Sequence, residues 1–209
     1  MSSPVNAFGL CGLICFLVVA SPPVDAQTLR LGQQGNAAPQ ISATVGDTLS
    51  LQIRADFGSL SATGLTLFVR FSSTAFTVVN ADGQAANGVQ PFTSGSLFAD
   101  AIEFDNSTVS DSELLTATDW QLIGYAALLA SQARDLRTGS GEVATFRLLC
   151  LKPIESEISI YRSPIHETRV VLSDGRSEKE FRPAAPLVVS VTGSGVTESP
   201  WSTIKHQAR

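Results

Sequence analysis

The feature that most constrains the fold is a strict alternation of apolar and polar residues. It is complete over Thr48 to Phe57, where five apolar residues stand at every second position. Leu65 to Phe71 repeats the pattern. Successive side chains of a β-strand point to opposite faces, so this period predicts strands with one buried face. The residues expected to lie between two sheets are Leu51, Ile53, Leu67, Val69, Phe146 and Leu148.

Further short strands are predicted along the chain, and no convincing series of helices is visible. A helix is the alternative for Ala126 to Ala130 alone. A hairpin is expected from Val170 to Phe181, where Asp174-Gly175 favours a tight primed turn. Residues 80–119 are rich in Gly, Asn, Ser and Asp and predict a long excursion with two short strands. The remaining predicted strands are Ala75–Val79, Trp120–Leu129, Glu142–Leu151, Ile158–Tyr161 and Leu187–Val191. About eight or nine short strands separated by turns predict an antiparallel β-sandwich.

The N-terminus carries the signature of an export signal. Phe8 to Ala20 is an apolar run of 13 residues, and the small-residue site Val24-Asp25-Ala26 follows it. Such a run is too short to span a bilayer comfortably and is typical of a signal peptide. We expect a signal peptide over residues 1–26, a folded domain over 27–193 and a loosely ordered tail over 194–209. A retained membrane anchor is the alternative.

Charge and cysteine content exclude several classes of protein. The net charge is −5 and no basic run occurs, which argues against nucleic-acid binding. Beyond the expected signal, Cys150 is the single cysteine, so no internal disulfide is possible and a hydrophobic core must hold the fold. Cys150 lies on the apolar phase of its strand and is interpreted as a buried small hydrophobe.

Catalytic chemistry has little support. The sequence contains two histidines, His166 and His206, and no Gly-x-Ser-x-Gly nucleophile motif. We therefore predict no catalytic residues, no metal site and no cofactor. A cluster of acids raises calcium as an alternative, but its spacing does not match an EF-hand loop and a solvated acidic loop is preferred. Its members are Asp100, Glu103, Asp105, Asn106, Asp111 and Glu113.

Four segments in order resemble a known family. They are Val45-Gly46-Asp47-Thr48, Ala62-Thr63-Gly64-Leu65, Phe71–Val79 and Gly139–Phe146. Together they make residues 28–192 similar to the cohesin domain, the receptor module of cellulosome scaffoldins. Ser72-Ser73-Thr74 replaces the family's Tyr-Asp-Pro turn. The resemblance implies a nine-stranded jelly-roll sandwich, and a secreted or cell-surface binding module that engages a dockerin-like protein in polysaccharide breakdown or surface assembly.

The candidate partner-binding residues are Thr66, Phe68, Arg70 and Tyr125. The first three alternate with core residues of one strand, and Tyr125 is expected beside them. An outward aromatic side chain can stack on a sugar ring or anchor a protein partner. Direct polysaccharide binding and a structural or adhesive surface role therefore stay open as alternatives. The mixed polar and apolar character of the patch favours a protein.

The position of the export site gives a first prediction. The mature chain should begin at or near Gln27, because the apolar run ends just before a small-residue cleavage site. Mass spectrometry of protein secreted by an expression host checks it. Recovery of secreted material that still carries residues 1–26 would contradict cleavage.

Overall fold

The computed structural model describes residues 27–36, 38–81, 88–109, 119–130, 136–182 and 184–194, and every regular element in this part is a β-strand. The strands form two sheets. The smaller sheet contains β1 (Thr28–Gln33), β3 (Thr48–Asp56), β5 (Phe76–Val79), β6 (Phe92–Ser94) and β9 (Ser140–Cys150). The larger sheet contains β2 (Gln40–Thr44), β4 (Ala62–Ser72), β7 (Ile102–Val109), β8 (Trp120–Leu128), β10 (Glu155–Tyr161), β11 (Arg169–Leu172), β12 (Glu178–Glu180) and β13 (Leu187–Thr192).

The central strand of the larger sheet is β4. One of its edges pairs with β8, which in turn pairs with β7. Its other edge is shared, because β10 pairs with residues 68–70 and β11 with residues 62–66. The sheet continues from β10 to β13 and β2, and from β11 to β12. In the smaller sheet the order is β1, β3, β9, and the far edge of β9 is shared by β5 and β6.

The predicted all-β jelly-roll sandwich is confirmed, with two differences in detail. Thirteen strands are described where about nine were expected. The excess arises partly because two short strands share one edge of β4, and two more share one edge of β9. The strands are not all antiparallel, since β2 and β13 pair in parallel.

The core lies between the two sheets and follows the alternation. All six residues predicted there are at most 2% exposed. Cys150 is buried as interpreted, and burial raises the pKa of its thiol, with a further rise from the nearby Asp47 carboxylate. Burial of the thiol and its raised pKa favour an inert packing group over a nucleophile.

The excursion contributes both strands and core. β6 and β7 form within it, and Phe98 between them is fully buried with its ring edge-on to Phe57 at 6.3 Å. The side-chain amide of Asn106 links the two strands: its Oδ1 accepts from the Phe92 amide at 2.9 Å, and its Nδ2 donates to the Phe92 carbonyl at 2.8 Å. The Asn106 side chain thus joins β7 of the larger sheet to β6 of the smaller sheet.

The predicted hairpin is present as β11 and β12, but its turn differs from the prediction. A tight primed turn of type I′ needs positive φ at both central residues. Only Gly175 has positive φ in this turn, at 66°. The loop is wider, and Asp174 stabilises it by accepting hydrogen bonds from the amides of Arg176 and Ser177.

Several expectations fall outside the described residues. They are the signal peptide over residues 1–26, most of the tail and part of the excursion. In the part of the chain that is described, no helix is long and apolar enough to cross a membrane.

Leu67 gives the sharpest test of the core. Its side chain is fully buried on β4, so Leu67→Ala should lower the free energy of unfolding by about 2–5 kcal/mol. Leu151, which is 40% exposed, provides the matched control, and Leu151→Ala should cost less than about 1 kcal/mol. Urea denaturation followed by circular dichroism measures both. Equal losses in the two variants would contradict the sandwich core.

Candidate binding face

The structure places Thr66, Phe68 and Arg70 on the outer surface of the larger sheet, here called the β4 face. The burial pattern of β4 alternates from Leu65 to Ser72, and these three side chains are half-buried on the outward phase. The reason is the period of two, which sends Leu65, Leu67, Val69 and Phe71 into the core. Orientation of these three side chains is therefore as predicted.

Tyr125 does not share this face, and its expected position was wrong. It pairs with Leu67, which points inward, so its side chain enters the core and is only 1% exposed. Its hydroxyl hydrogen-bonds Ser94 Oγ at 2.7 Å, and its ring packs on Phe92 at 5.5 Å. Both phases of β8 are apolar, so alternation there could not distinguish the inner face from the outer.

Two aromatic residues that the sequence analysis missed complete the β4 face. The Arg70 guanidinium carbon lies 4.6 Å from the ring centre of Trp120 and 5.2 Å from that of Tyr161. Both contacts are within the range of favourable cation–π interaction. Trp120 opens β8 opposite Ser72, and Tyr161 ends β10 opposite Phe68, so both stand on the outward phase. Their positions depend on pairing with β4.

The Phe68 ring lies over Gly124, the residue directly opposite it on β8. A Cβ at position 124 would stand 3.0 Å from Phe68 Cε1 and 2.9 Å from Asp105 Oδ2. His166 packs edge-on against the same ring at 5.1 Å and lies 6.4 Å from the Tyr161 ring. Because residue 124 is a glycine, the Phe68 ring can pack over the β8 backbone beside His166.

A chain of hydrogen bonds ties β4 to the loop between β10 and β11. The amide of Phe68 donates to Thr168 Oγ1 at 3.1 Å, and that hydroxyl donates to the Tyr161 carbonyl at 2.7 Å. Thr66 Oγ1 donates to the Glu167 carbonyl at 2.7 Å. Thr168 is buried at the point where the shared edge of β4 passes from β10 to β11. These bonds hold Tyr161 and His166 against the face.

Charges at one end of the face are paired with one another. Arg169 forms ion pairs with Glu167 and Glu178, and Arg162 pairs with Glu180. These groups are partly exposed, so the pairs contribute little to stability. Arg70 differs, since it has no ion pair within the described residues and its buried Nε has no hydrogen-bond partner there. It is the one unsatisfied buried side-chain donor in that part of the chain.

The acids considered for calcium are engaged separately. Asp100 pairs with Arg137, whose hydrogen bond lowers the pKa of that carboxyl. Glu103 accepts from Asn106 at 3.2 Å, and Asp105 accepts from Ser107 at 2.6 Å. Asp111 and Glu113 lie outside the described residues. Within the described ranges, no group of three or more His, Cys, Asp or Glu side chains is placed to hold a metal ion.

Solved structures of cohesins share this fold. A type II cohesin domain from the cellulosome of Acetivibrio cellulolyticus matches with a TM-score of 0.59 at 14% identity, over 78% of this chain and 95% of that one. A type I cohesin–dockerin complex from Clostridium thermocellum, Coh-OlpC-Doc435, matches with a TM-score of 0.55 at 14% identity, over 81% and 95%. The sixth cohesin of A. cellulolyticus scaffoldin B, solved with a Cel5 dockerin, matches with a TM-score of 0.54 at 9% identity, over 79% and 99%.

No protein-family model matches the chain, and no curated protein matches it either. At identities this low the structural likeness establishes the fold alone. The resemblance to cohesins is thereby confirmed as a shared fold.

Tyr125 should make stability fall at alkaline pH. Burial raises the pKa of its phenol above the ordinary 10.0, opposed by the Ser94 hydrogen bond and aided by Glu103. Above the unfolded pKa the unfolded chain loses this proton while the folded chain keeps it, so stability decreases by up to about 1.4 kcal/mol per pH unit. Urea denaturation from pH 8 to 11 should show a shallower decline for Tyr125→Phe than for the wild type. If the free energy of unfolding declined equally in the variant and the wild type, a raised pKa for Tyr125 would be contradicted.

Proposed function

We propose that this chain is a non-catalytic binding module, exported from the cell, that engages a dockerin-like protein through the β4 face. The observation that carries the proposal is the cluster of Phe68, Arg70, Trp120 and Tyr161 on the outward side of one sheet. Tryptophan, tyrosine and arginine are the residues most enriched at the energetic centres of protein interfaces. The cohesin fold supports the choice of partner, because solved cohesins of this fold are in complex with dockerins.

The packing of the aromatic rings favours a protein over a polysaccharide. A sugar stacks on an open ring face, but the Arg70 guanidinium lies against the rings of both Trp120 and Tyr161. Phe68 lies on Gly124 and has His166 at its edge. The face therefore offers ring edges and a cation where a sugar-binding platform would offer a flat aromatic row. Direct polysaccharide binding remains the second candidate, on the aromatic content of the face.

The context we propose is polysaccharide breakdown or surface assembly outside the cell. The apolar run at Phe8–Ala20 supports export, and the cohesin fold supports an assembly role. The absence of a Gly-x-Ser-x-Gly motif from the sequence agrees with a module that turns nothing over.

Removal of two anchors tests the site. Phe68→Ala with Arg70→Ala should weaken binding to a captured dockerin-type module by about 1–4 kcal/mol, because both side chains lie at the centre of the face. Calorimetric titration measures the loss, after pull-down from a panel of dockerin-type modules and insoluble polysaccharides. Thermal unfolding of the variant confirms that it is folded.

A matched control lies on the opposite sheet. Gln52→Ala with Arg54→Ala removes an arginine and a neighbour on the outward phase of β3, and binding should change less than about twofold. Equal losses in both double variants would move the site away from the β4 face. Capture by polysaccharide alone would favour the second candidate, and glycan hydrolysis by the purified chain would overturn the non-catalytic proposal.

A further inference from the structure

Arg70 occupies an unusual environment for an arginine. Two rings enclose its guanidinium, and its Nε is buried without a hydrogen-bond partner among the described residues. A buried donor without a partner is energetically unfavourable and is rare in native proteins. The two terminal guanidinium nitrogens also make no hydrogen bond to the described part of the chain and, unlike Nε, are not fully buried. A planar cation is thus held in place with open donors.

The neighbouring arginines differ from Arg70 because each has a carboxylate partner. Arg162 and Arg169, also on the outer side of the larger sheet, have carboxylates at hydrogen-bond distance. Arg70 stands nearer the middle of the sheet, with Leu122 opposite it on β8 and Ser159 opposite it on β10. Neither neighbour can neutralise it. Among the described residues, this central cation of the face therefore has no acid paired with it.

We propose that Arg70 is the specificity-determining residue of the β4 face and that it binds a carboxylate from an aspartate or glutamate side chain of the partner protein. The inference rests on the proposed function and names the chemistry of its central contact. A guanidinium presents its donors in a planar fork that matches a carboxylate in two parallel hydrogen bonds. Trp120 and Tyr161 fix the plane of the fork before the partner arrives, which reduces the ordering that binding requires.

An acid of the chain itself is the main competitor for this contact. Glu157 lies on β10 two residues before Ser159, so it stands on the same phase and diagonal to Arg70. It lines a groove of about 630 Å³ beside Trp120, together with Glu155 and Asp119, and it makes no ion pair with Arg70. Because these acids repel another carboxylate, the partner carboxylate is expected to approach over the Phe68 side of the face. The variant Glu157→Gln therefore tests whether the Arg70 guanidinium is neutralised by Glu157 of the same chain or by a carboxylate from outside it.

Sodium acetate is the probe for the isolated contact. In a Trp201→Phe background, Trp120 is the single tryptophan, and its fluorescence reports directly on the guanidinium stacked against it. Acetate at constant ionic strength should change this fluorescence with saturation on the order of 10–100 mM, and chloride should not. The Arg70 Nε–Hε resonance should shift over the same range.

Four variants test whether Arg70 is the site of the acetate response. Arg70→Gln should abolish the acetate response, and Arg70→Lys, which keeps the charge and loses the fork, should weaken it about tenfold. Glu157→Gln should leave the response in place. Arg54→Gln is the matched control, because Arg54 has no ion pair and no stacked ring among the described residues, and it should also leave the response unchanged. A response that survives Arg70→Gln, or full retention by Arg70→Lys, would overturn the proposal.

The captured partner supplies the second readout. Arg70→Gln should lower affinity for a dockerin-type module at least about tenfold, and replacing one acidic residue of that module by its amide should reproduce the loss without adding to it. Additive losses would overturn the contact. Saturable binding of polygalacturonate, with no binding of any dockerin-type module, would assign the carboxylate to an acidic sugar and overturn the choice of a protein. Failure to capture any module, with the acetate response intact, would count against the proposed function and leave the carboxylate site standing.

Discussion

The burial of every second side chain of β4 is the constraint on which the rest of the structure depends. Leu65, Leu67, Val69 and Phe71 are each at most 1% exposed, and they fill the space between the sheets. A slip of one residue in the register would exchange these side chains with those of the outer face. The same pattern that builds the core therefore determines that Thr66, Phe68 and Arg70 are presented outward. The core and the proposed binding face are therefore the two sides of one strand.

The shared edge of β4 organises the outer face that we propose as the binding face. β10 and β11 meet there, and buried Thr168 connects both to the amide of Phe68. The loop between them consequently packs on β4 and brings His166 to the Phe68 ring. Aromatic contacts of this kind contribute about 0.5–1.5 kcal/mol beyond the area they bury, so the cluster also stiffens the face. A stiff face with a fixed cation suits docking of a folded partner.

The alternation of apolar and polar residues predicted which side chains of a strand are buried. It did not predict positions that depend on pairing between strands far apart in the sequence. The six core positions on β3, β4 and β9 followed from alternation alone, because apolar residues recur there at every second position and polar residues stand between most of them. β8 has two apolar phases, so the direction of Tyr125 is set only by its pairing with Leu67. Trp120 and Tyr161 reach Arg70 through strands about 50 and 90 residues away in sequence. The parallel pairing of β2 with β13 is equally invisible to local pattern.

Hydroxyl-radical footprinting of the chain, free and bound to its captured partner, tests the central claim most directly. If the partner covers the β4 face, oxidation of Phe68, Trp120, Tyr161 and His166 should fall together on binding. Leu151 and Val89, which are 40% and 41% exposed and lie beside strands of the smaller sheet, provide reference positions within the same molecule. Protection centred on the β4 face is the predicted result. Unchanged oxidation of Phe68 and Trp120, with protection on the outer side of β1, β3 and β9, would contradict it.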